Sequence, residues 1–436
     1  MFKKILPLNL ILFFRFLGLF LVLPLISIYA SELPNSTPLL VGVVIGGYAL
    51  TQALFQIPFG ILSDKFGRKA LILFGMVLFL IGSVIAYLAN DIYTLIMGRL
   101  LQGAGAVGSV ISAAISDVVP EEKRGKAMAM VGGSIAIAFA IAMVVGSVVG
   151  GYFGVDILFL ITSILAFLAI VVAVKLDTIP KIEFMYSRNG EKRNLLGDSN
   201  LLYLFWTSLL QKGMMSIVFM VIPILLTSSG EWSKEELWKL YIPAMVLGLL
   251  SMGPAVIFGE KKGKPKIVFL ISSFLFVLTA LLLAKNSVST TILALFVFFV
   301  AFNLIEPLIQ SMVSKLVRVT EKGKALGYTN SFAYFGTFLG GTGAGLFLEN
   351  GDIEKLAYLL IALSTIWLVW TLRFRNPELK GNIYLDHSNS LQSKIEGGNF
   401  TFIDEWYINR SENLIVIRYS RILYSEDEIR DQLGVK

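Results

Sequence analysis

An all-α membrane protein with twelve transmembrane helices in two pseudo-symmetric six-helix bundles, followed by a small α+β cytosolic domain, is the fold class the sequence predicts. Three observations predict it: apolar blocks of bilayer-spanning length, basic residues confined to alternate loops, and a motif that recurs about 196 residues further along.

Of 436 residues, 56% are hydrophobic and 15% charged, against about 45–50% and about 25% in soluble domains. The apolar excess falls into blocks of about 20 residues, the length a helix needs to cross about 30 Å of hydrocarbon. Backbone amides find no water at that depth, so such blocks become helices. The alternating ten-residue segments of a membrane β-barrel are not seen. Spans are predicted at 6–29, 38–60, 70–89, 92–117, 126–150, 155–175, 200–227, 238–259, 266–285, 288–314, 325–348 and 354–373. Lys3, Lys4 and the following apolar run suggest a signal peptide, but Arg15 interrupts the run and Tyr29-Ala30 makes a poor cleavage site. The segment reads as a first span.

With no cysteine, disulfides and thiolate metal sites are excluded. The lone histidine, His387, lies in the polar tail and argues against a histidine-built centre. No nucleotide-binding loop or nucleophile elbow occurs. No catalytic residue, metal or cofactor is therefore expected, and the energy source should be a gradient.

The net charge of +7 belongs to topology, not to nucleic acid. One set of loops holds Lys65, Arg68, Lys69, Lys123, Arg124, Lys126, Lys181, Arg188, Lys192, Arg193, Lys261, Lys262 and Arg318; the other holds few cations beside Glu32, Asp91, Glu235, Glu349 and Asp352. Positive residues stay on the cytoplasmic side, which places both termini there, in a bacterial-type inner membrane.

Pro58…Asp64-x-x-Gly67-Arg68 recurs 196 residues on as Pro254…Glu260-x-x-Gly263-Lys264, and Gly125-Lys126-Ala127 recurs 198 on as Gly323-Lys324-Ala325. Each match follows the second or the fourth span of its half. Parallel repeats of this kind place a substrate site between the halves near the midplane. The expected organisation is a bundle at 1–175, a linker at 176–199, a second bundle at 200–375 and a small domain at 381–436. In that domain, strands at Ile383–Leu385, Phe400–Ile408 and Leu414–Tyr419, a helix at Ser390–Glu396 and a capping-box helix from Ser425 and Glu428 give the order β-α-β-β-α. This is similar to a ferredoxin-like module short of its last strand; a partly ordered tail is the alternative.

The segment Gly60-Ile-Leu-Ser-Asp64-Lys65-Phe-Gly67-Arg68-Lys69 resembles the signature loop of the major facilitator superfamily. The resemblance implies a latch that joins the halves in the outward-facing state, with Asp64 at the N-terminus of the eleventh helix and Arg68 paired with Asp117. Arg99-x-x-Gln102-Gly103-x-Gly105 resembles the family's fourth-span motif, which implies proton coupling by Arg99; a structural anchor is the other reading. Gly146-Ser147-x-x-Gly150-Gly151 resembles the drug–proton antiporter signature, with Ser147 where that signature has proline. Its glycines suit close helix packing.

Three intramembrane charges remain, Arg15, Lys212 and Glu306. Glu306 is the carboxylate deepest in any predicted span, with Asn303 and Gln310 on the same helix face. It is the candidate for proton or substrate coupling, and a static pair with Lys212 or Arg15 is the alternative. Tyr48, Gln52, Gln56, Tyr328 and Tyr334 are candidate cavity residues, or packing residues. Arg15 through Pro24, Asn303 through Glu306 and the tail together resemble the YajR-like transporters. That resemblance implies a monomeric, proton-driven exporter of small amphipathic molecules, with protons, a small-molecule substrate and the bilayer as partners. A proton symporter or uniporter for a polar solute, and a non-transporting sensor, are the alternatives; no ligand is assigned to the tail.

Overall fold

The computed structural model describes residues 2–177, 179, 194–317, 321–377, 380–398, 400–410, 412–421 and 423–435. Lys181, Arg188, Lys192 and Arg193 of the expected linker, and Arg318, lie outside the described residues.

The first span is two helices, α1 (Phe2–Leu21) and α2 (Ile26–Glu32), bent by 53° at the break between them. Pro24 stands in that break and has no amide to continue the ladder. Then follow α3 (Pro38–Phe66) and α4 (Arg68–Tyr87). The fourth span is also interrupted, into α5 (Ile92–Ala104) and α6 (Gly108–Val118), and α7 (Glu121–Phe153) and α8 (Val155–Val174) complete the first half. The second half comprises α9 (Ser199–Ser228), α10 (Trp238–Val256), a π turn at Ile257–Lys261, α11 (Pro265–Ala284), α12 (Val288–Leu316), α13 (Lys322–Glu349) and α14 (Ile353–Thr371). Local chemistry sets the starts. Thr37 caps α3 ahead of Pro38, and Ser287 with Thr290 forms a capping box on α12. Asp91 caps α5, and hydrogen bonds from the Thr94 hydroxyl and amide hold its carboxyl below the usual carboxylate range.

Among the described residues, ten helices are long and apolar enough to cross a membrane, or eleven when the bent pair counts as one span. The glycine-rich α13 is not among them, although its 28 residues pack at the centre of the molecule. A second difference from expectation is α7, which begins at Glu121 and runs for 33 residues. Its charged first turns read as loop in the sequence. Glu121 and Glu122 suit the positive end of the helix.

The repeat reappears in the contacts. Lys69 Nζ donates to the carbonyls of Val174 and Leu176 at 2.8 and 2.6 Å, closing the end of α8. About 197 residues later, Lys266 Nζ donates to the carbonyl of Leu372 at 2.6 Å, beyond α14. Arg68 pairs with Asp117 at 3.0 Å, while in the second half Glu260, the counterpart of Asp64, pairs with Lys315, so an ion pair from this loop to the fourth span of the half recurs with the carboxylate on the loop.

The halves meet most closely where α3 crosses α13. A methyl group on Gly42 would overlap the carbonyl oxygen of Gly341, and one on Gly46 would lie 2.8 Å from Phe338 Cα. Gly345 is equally tight against Pro38 and Leu39. Glu349 accepts from the Leu39 amide at 3.1 Å, and Lys234 pairs with Glu32 at 3.6 Å. All these residues lie toward one face, where α3 begins and α13 ends. Small residues are what allow membrane helices this approach.

The small domain sits on the opposite face. It comprises β1 (Lys380–Asp386), α15 (Asn389–Gly397), β2 (Glu405–Asn409), β3 (Leu414–Ser420) and α16 (Glu426–Leu433). The sheet order is β1-β3-β2, with both pairs antiparallel. Ile383, Ile408, Ile415 and Ile417 pack against Leu391, Ile395, Ile429 and Leu433 of the two helices. The period of two turns Tyr384, Tyr407, Val416 and Arg418 to the other sheet face. His387 hydrogen bonds Gln392 at 3.0 Å within this domain.

Gly42→Leu should prevent closure at the α3–α13 crossing. In the otherwise cysteine-free chain, a cysteine replacing Thr342 should then react faster with an impermeant thiol reagent, and an unchanged rate would contradict the contact.

Candidate functional site

Three polar groups occupy the middle of the bundles. In the second half, Lys212 Nζ of α9 lies 2.9 Å from both carboxylate oxygens of Glu306 on α12. Gln211 Nε2 donates to the same carboxylate at 2.8 Å and to the Phe302 carbonyl at 3.0 Å. Three donor contacts therefore orient one carboxylate. The Lys212 ammonium also lies 4.5 Å from the Phe302 ring centre, and Phe302 stacks at 6.2 Å on Phe139 of α7, across the division between the halves. The ion pair is not sealed: the side chains of Lys212 and Glu306 remain 23% and 35% exposed.

In the first half, Arg15 is fully buried. Its guanidinium donates to Gln52 Oε1 at 3.1 Å and lies 5.6 Å from the rings of Phe16 and Phe79. Gln52 Nε2 in turn donates to the Tyr334 hydroxyl of α13 at 2.7 Å. This chain of bonds crosses from one half to the other next to the glycine contact. Two of the Arg15 nitrogens, Nε and one terminal nitrogen, have no hydrogen-bond partner among the described residues. Arg15 and Lys212, each on the first helix of its half, thus differ in use: Lys212 takes the carboxylate and Arg15 takes an amide.

Arg99 is also fully buried. It donates to the Val44 carbonyl at 3.1 Å and to Gln102 Oε1 at 2.8 Å, and its charge sits 4.5 Å from the Tyr48 ring centre. Gln102 continues to Ser83 at 2.9 Å. These neutral partners tie α3, α4 and α5 together within the first half.

Other expected positions differ. Asn303 turns away from Glu306, donating to the Phe299 carbonyl at 2.8 Å and filling the space that Gly248 leaves. Gln310 bonds Asn330 of α13 at 3.1 Å. Gln56 and Tyr48 are buried. Tyr328 packs on Phe205, with Lys324 at 5.7 Å from its ring centre. Gly146 lies against the Leu21 carbonyl, Gly150 against Leu25 and Leu158, and Gly151 against Lys234 and Glu235 of the other half. Ser147 donates its hydroxyl to the Met143 carbonyl at 2.5 Å, and α7 runs unbroken there. The bend that the proline of the antiporter signature would bring to α7 is found instead in the neighbouring α1–α2 pair.

In the signature loop, Asp64 is paired with Arg68 at 2.6 Å and is 61% exposed. Arg68 also reaches Asp117 at 3.0 Å and Ser63 at 2.5 Å. Gly60 and Gly67 leave open space, and Gly67 has φ +93°, a conformation that favours glycine. Among the described residues, no hydrogen bond or ion pair of this loop reaches the second half. The contact of Asp64 with the head of α13 is absent from this arrangement, because Arg68 holds the carboxylate on its own side.

Sequence reasoning overlooked Gln211, Phe302 and Phe139 around the ion pair. Gln211 carried a usable signal, since a polar side chain inside an apolar helix needs a partner.

Comparison with known proteins is consistent throughout. The family model described as Major Facilitator Superfamily matches residues 8–264 and 244–417. The inner membrane transport protein YajR of Escherichia coli is 34% identical over 378 residues, covering 85% of this chain and 83% of that protein. The quinolone resistance protein NorA of Staphylococcus aureus is 26% identical, over 84% of this chain and 95% of its own. A solved D-xylose–proton symporter superposes with a TM-score of 0.70 at 14% identity, over 86% of this chain and 98% of its own. With two packed helical halves, a glycine-lined crossing between them and a family match over most of its length, the chain is a membrane transporter that belongs to the Major Facilitator Superfamily.

Proposed function

We propose that the protein is a proton-coupled exporter of small amphipathic molecules that works by alternating access. Its small domain and both termini would face the cytosol, as the bias of basic loops indicates. The described arrangement is then inward-facing, sealed outside by the α3–α13 crossing. The observation that carries the reading is the partly exposed Lys212–Glu306 pair beside Phe302 and Phe139. A carboxylate in the membrane interior that a permeating proton can reach is the simplest carrier for it.

The cycle follows from charge balance. In the inward-facing arrangement Glu306 is ionised, and Lys212 and Gln211 satisfy it. Closing a dry cavity over the ion pair is costly, so reorientation needs Glu306 occupied by a proton or by a substrate group, with the Lys212 ammonium then resting on the Phe302 ring. Proton uptake on the outside neutralises Glu306 and frees the Lys212 ammonium; release inside restores the pair. A substrate that carries a cationic or hydrogen-bonding group beside an apolar surface competes for Glu306 and rests on the aromatic pair, so substrate and proton exclude one another. The resistance role in NorA's name supports an exporter of this kind. Arg99 acts here as an anchor of the first half, and the loop of Asp64 as the latch of the outward-facing arrangement, where it would leave Arg68 for the head of α13. The protein would act as a monomer.

Glu306→Gln should reduce pH-gradient-driven flux of an amphipathic dye in proteoliposomes to the level of protein-free vesicles, while exchange without a gradient persists. Full gradient-driven flux in the variant would remove Glu306 from the coupling. Asp64→Asn should lower the outward-facing population by about twofold to fivefold, the worth of one charge at a helix end. Spin-label distances across the cytosolic face measure it, and an unchanged distribution would contradict the latch.

A further inference from the structure

We propose that the small domain is a state-selective brace, docked on one helix end from each half so that it stabilises the arrangement open toward its own face. The inference rests on the alternating-access reading.

The docking surface is the sheet face left uncovered by α15 and α16. On the first half it takes the head of α7. The backbone amide of Glu121 donates to both carboxylate oxygens of Glu412, at 2.9 and 3.0 Å, and Arg124 reaches the same carboxylate at 3.1 Å. Glu412 thereby caps a helix that its own domain does not contain. The Glu121 carboxylate is buried in return, accepting from Asn409 Nδ2 at 2.6 Å and from the Tyr407 hydroxyl. Burial, with Glu121 and Glu122 near, pushes the Tyr384 phenol upward on the same face.

On the second half the domain takes the tail of α12. The Arg418 guanidinium donates to the carbonyls of Lys315 and Val317, both at 2.6 Å. The polarity is right at both ends: a carboxylate meets the positive end of α7, and a guanidinium the negative end of α12. Glu405 and Arg418 are directly paired across β2 and β3, so one sheet presents both sets of contacts at a fixed spacing.

α7 and α12 belong to different halves, and their ends at this face change separation when the halves rock. A folded sheet cannot follow that change, so both contacts hold at one separation only. Binding that discriminates between two arrangements shifts their populations by the difference in affinity. A second observation agrees. Lys322, the first residue of α13, has Arg418, Glu121 and Glu405 as its charged neighbours. The docked domain thus brings the charges of Arg418 and Glu405 near the first turn of α13, the helix end that Asp64 would meet in the other arrangement.

The test uses the whole 436-residue chain, which has no cysteine. One label pair, at Ala70→Cys and Lys261→Cys, reports the separation of the halves; a second, at Lys123→Cys and Asp427→Cys, reports docking. Glu412→Ala should undock the domain and lower the ratio of wide to narrow separations by about fivefold, the effect of losing one cap. Glu412→Gln, which keeps the acceptor and loses the charge, should fall between. Arg124→Ala should act in the same direction without altering the domain. Undocking with an unchanged ratio, or a domain that stays docked in Glu412→Ala, would overturn the brace. A single separation in every variant and in the parent would overturn the alternating-access reading itself.

Discussion

Backbone meets backbone where α3 crosses α13, and the rest of the arrangement depends on that contact. Gly42, Gly46, Gly341 and Gly345 let the two helices approach so closely that no side chain fits between them on that face. In a bilayer no hydrophobic force drives helices together, so surface complementarity and interhelical polar bonds must do it. The glycines supply the first, and Glu349 at the Leu39 amide supplies part of the second. With one face sealed, any opening between the halves must lie toward the other. On the proposed reading, the Lys212–Glu306 pair is then accessible from a single side, as a two-state cycle requires.

Buried charge is handled in three different ways. Arg99 is surrounded by a backbone carbonyl, an amide oxygen and a tyrosine ring, and it joins helices of one half. Arg15 reaches an amide that leads across to Tyr334, so its environment changes whenever the halves separate. Lys212 alone among these three meets a carboxylate, and that pair is the least buried. An intramembrane charge with neutral partners suits structure, whereas one with a partly exposed titratable partner suits exchange.

Much of the fold was legible in the sequence because membrane burial forces simple patterns. Block length gave the helices, and the 196–198 residue offset appears again in the Lys69 and Lys266 contacts. The tail's β-α-β-β-α order and the capping box of Ser425 and Glu428 were readable from local chemistry. The breaks in the first and fourth spans were not, since Pro24 and Gly105 are tolerated in many continuous membrane helices. The early start of α7 was hidden by its charges, which are satisfied by a domain almost 300 residues away. At the site, Glu306 was legible as an isolated carboxylate and Lys212 as one of its two possible partners. The turning of Asn303 toward Gly248 was not legible, because helix periodicity places a residue on a face without deciding which neighbour lies there. The Gly-x-x-x-Gly spacing of Gly42 with Gly46, and of Gly341 with Gly345, was an available signal for the crossing.

The most direct measurement is side-specific labelling of Gln310→Cys, one turn from Glu306 toward the small domain, in sealed vesicles of known orientation. With an impermeant thiol reagent and no gradient, the account predicts reaction from the side bearing the small domain and protection from the other. Reaction from the opposite side, or equal reaction from both, would contradict it.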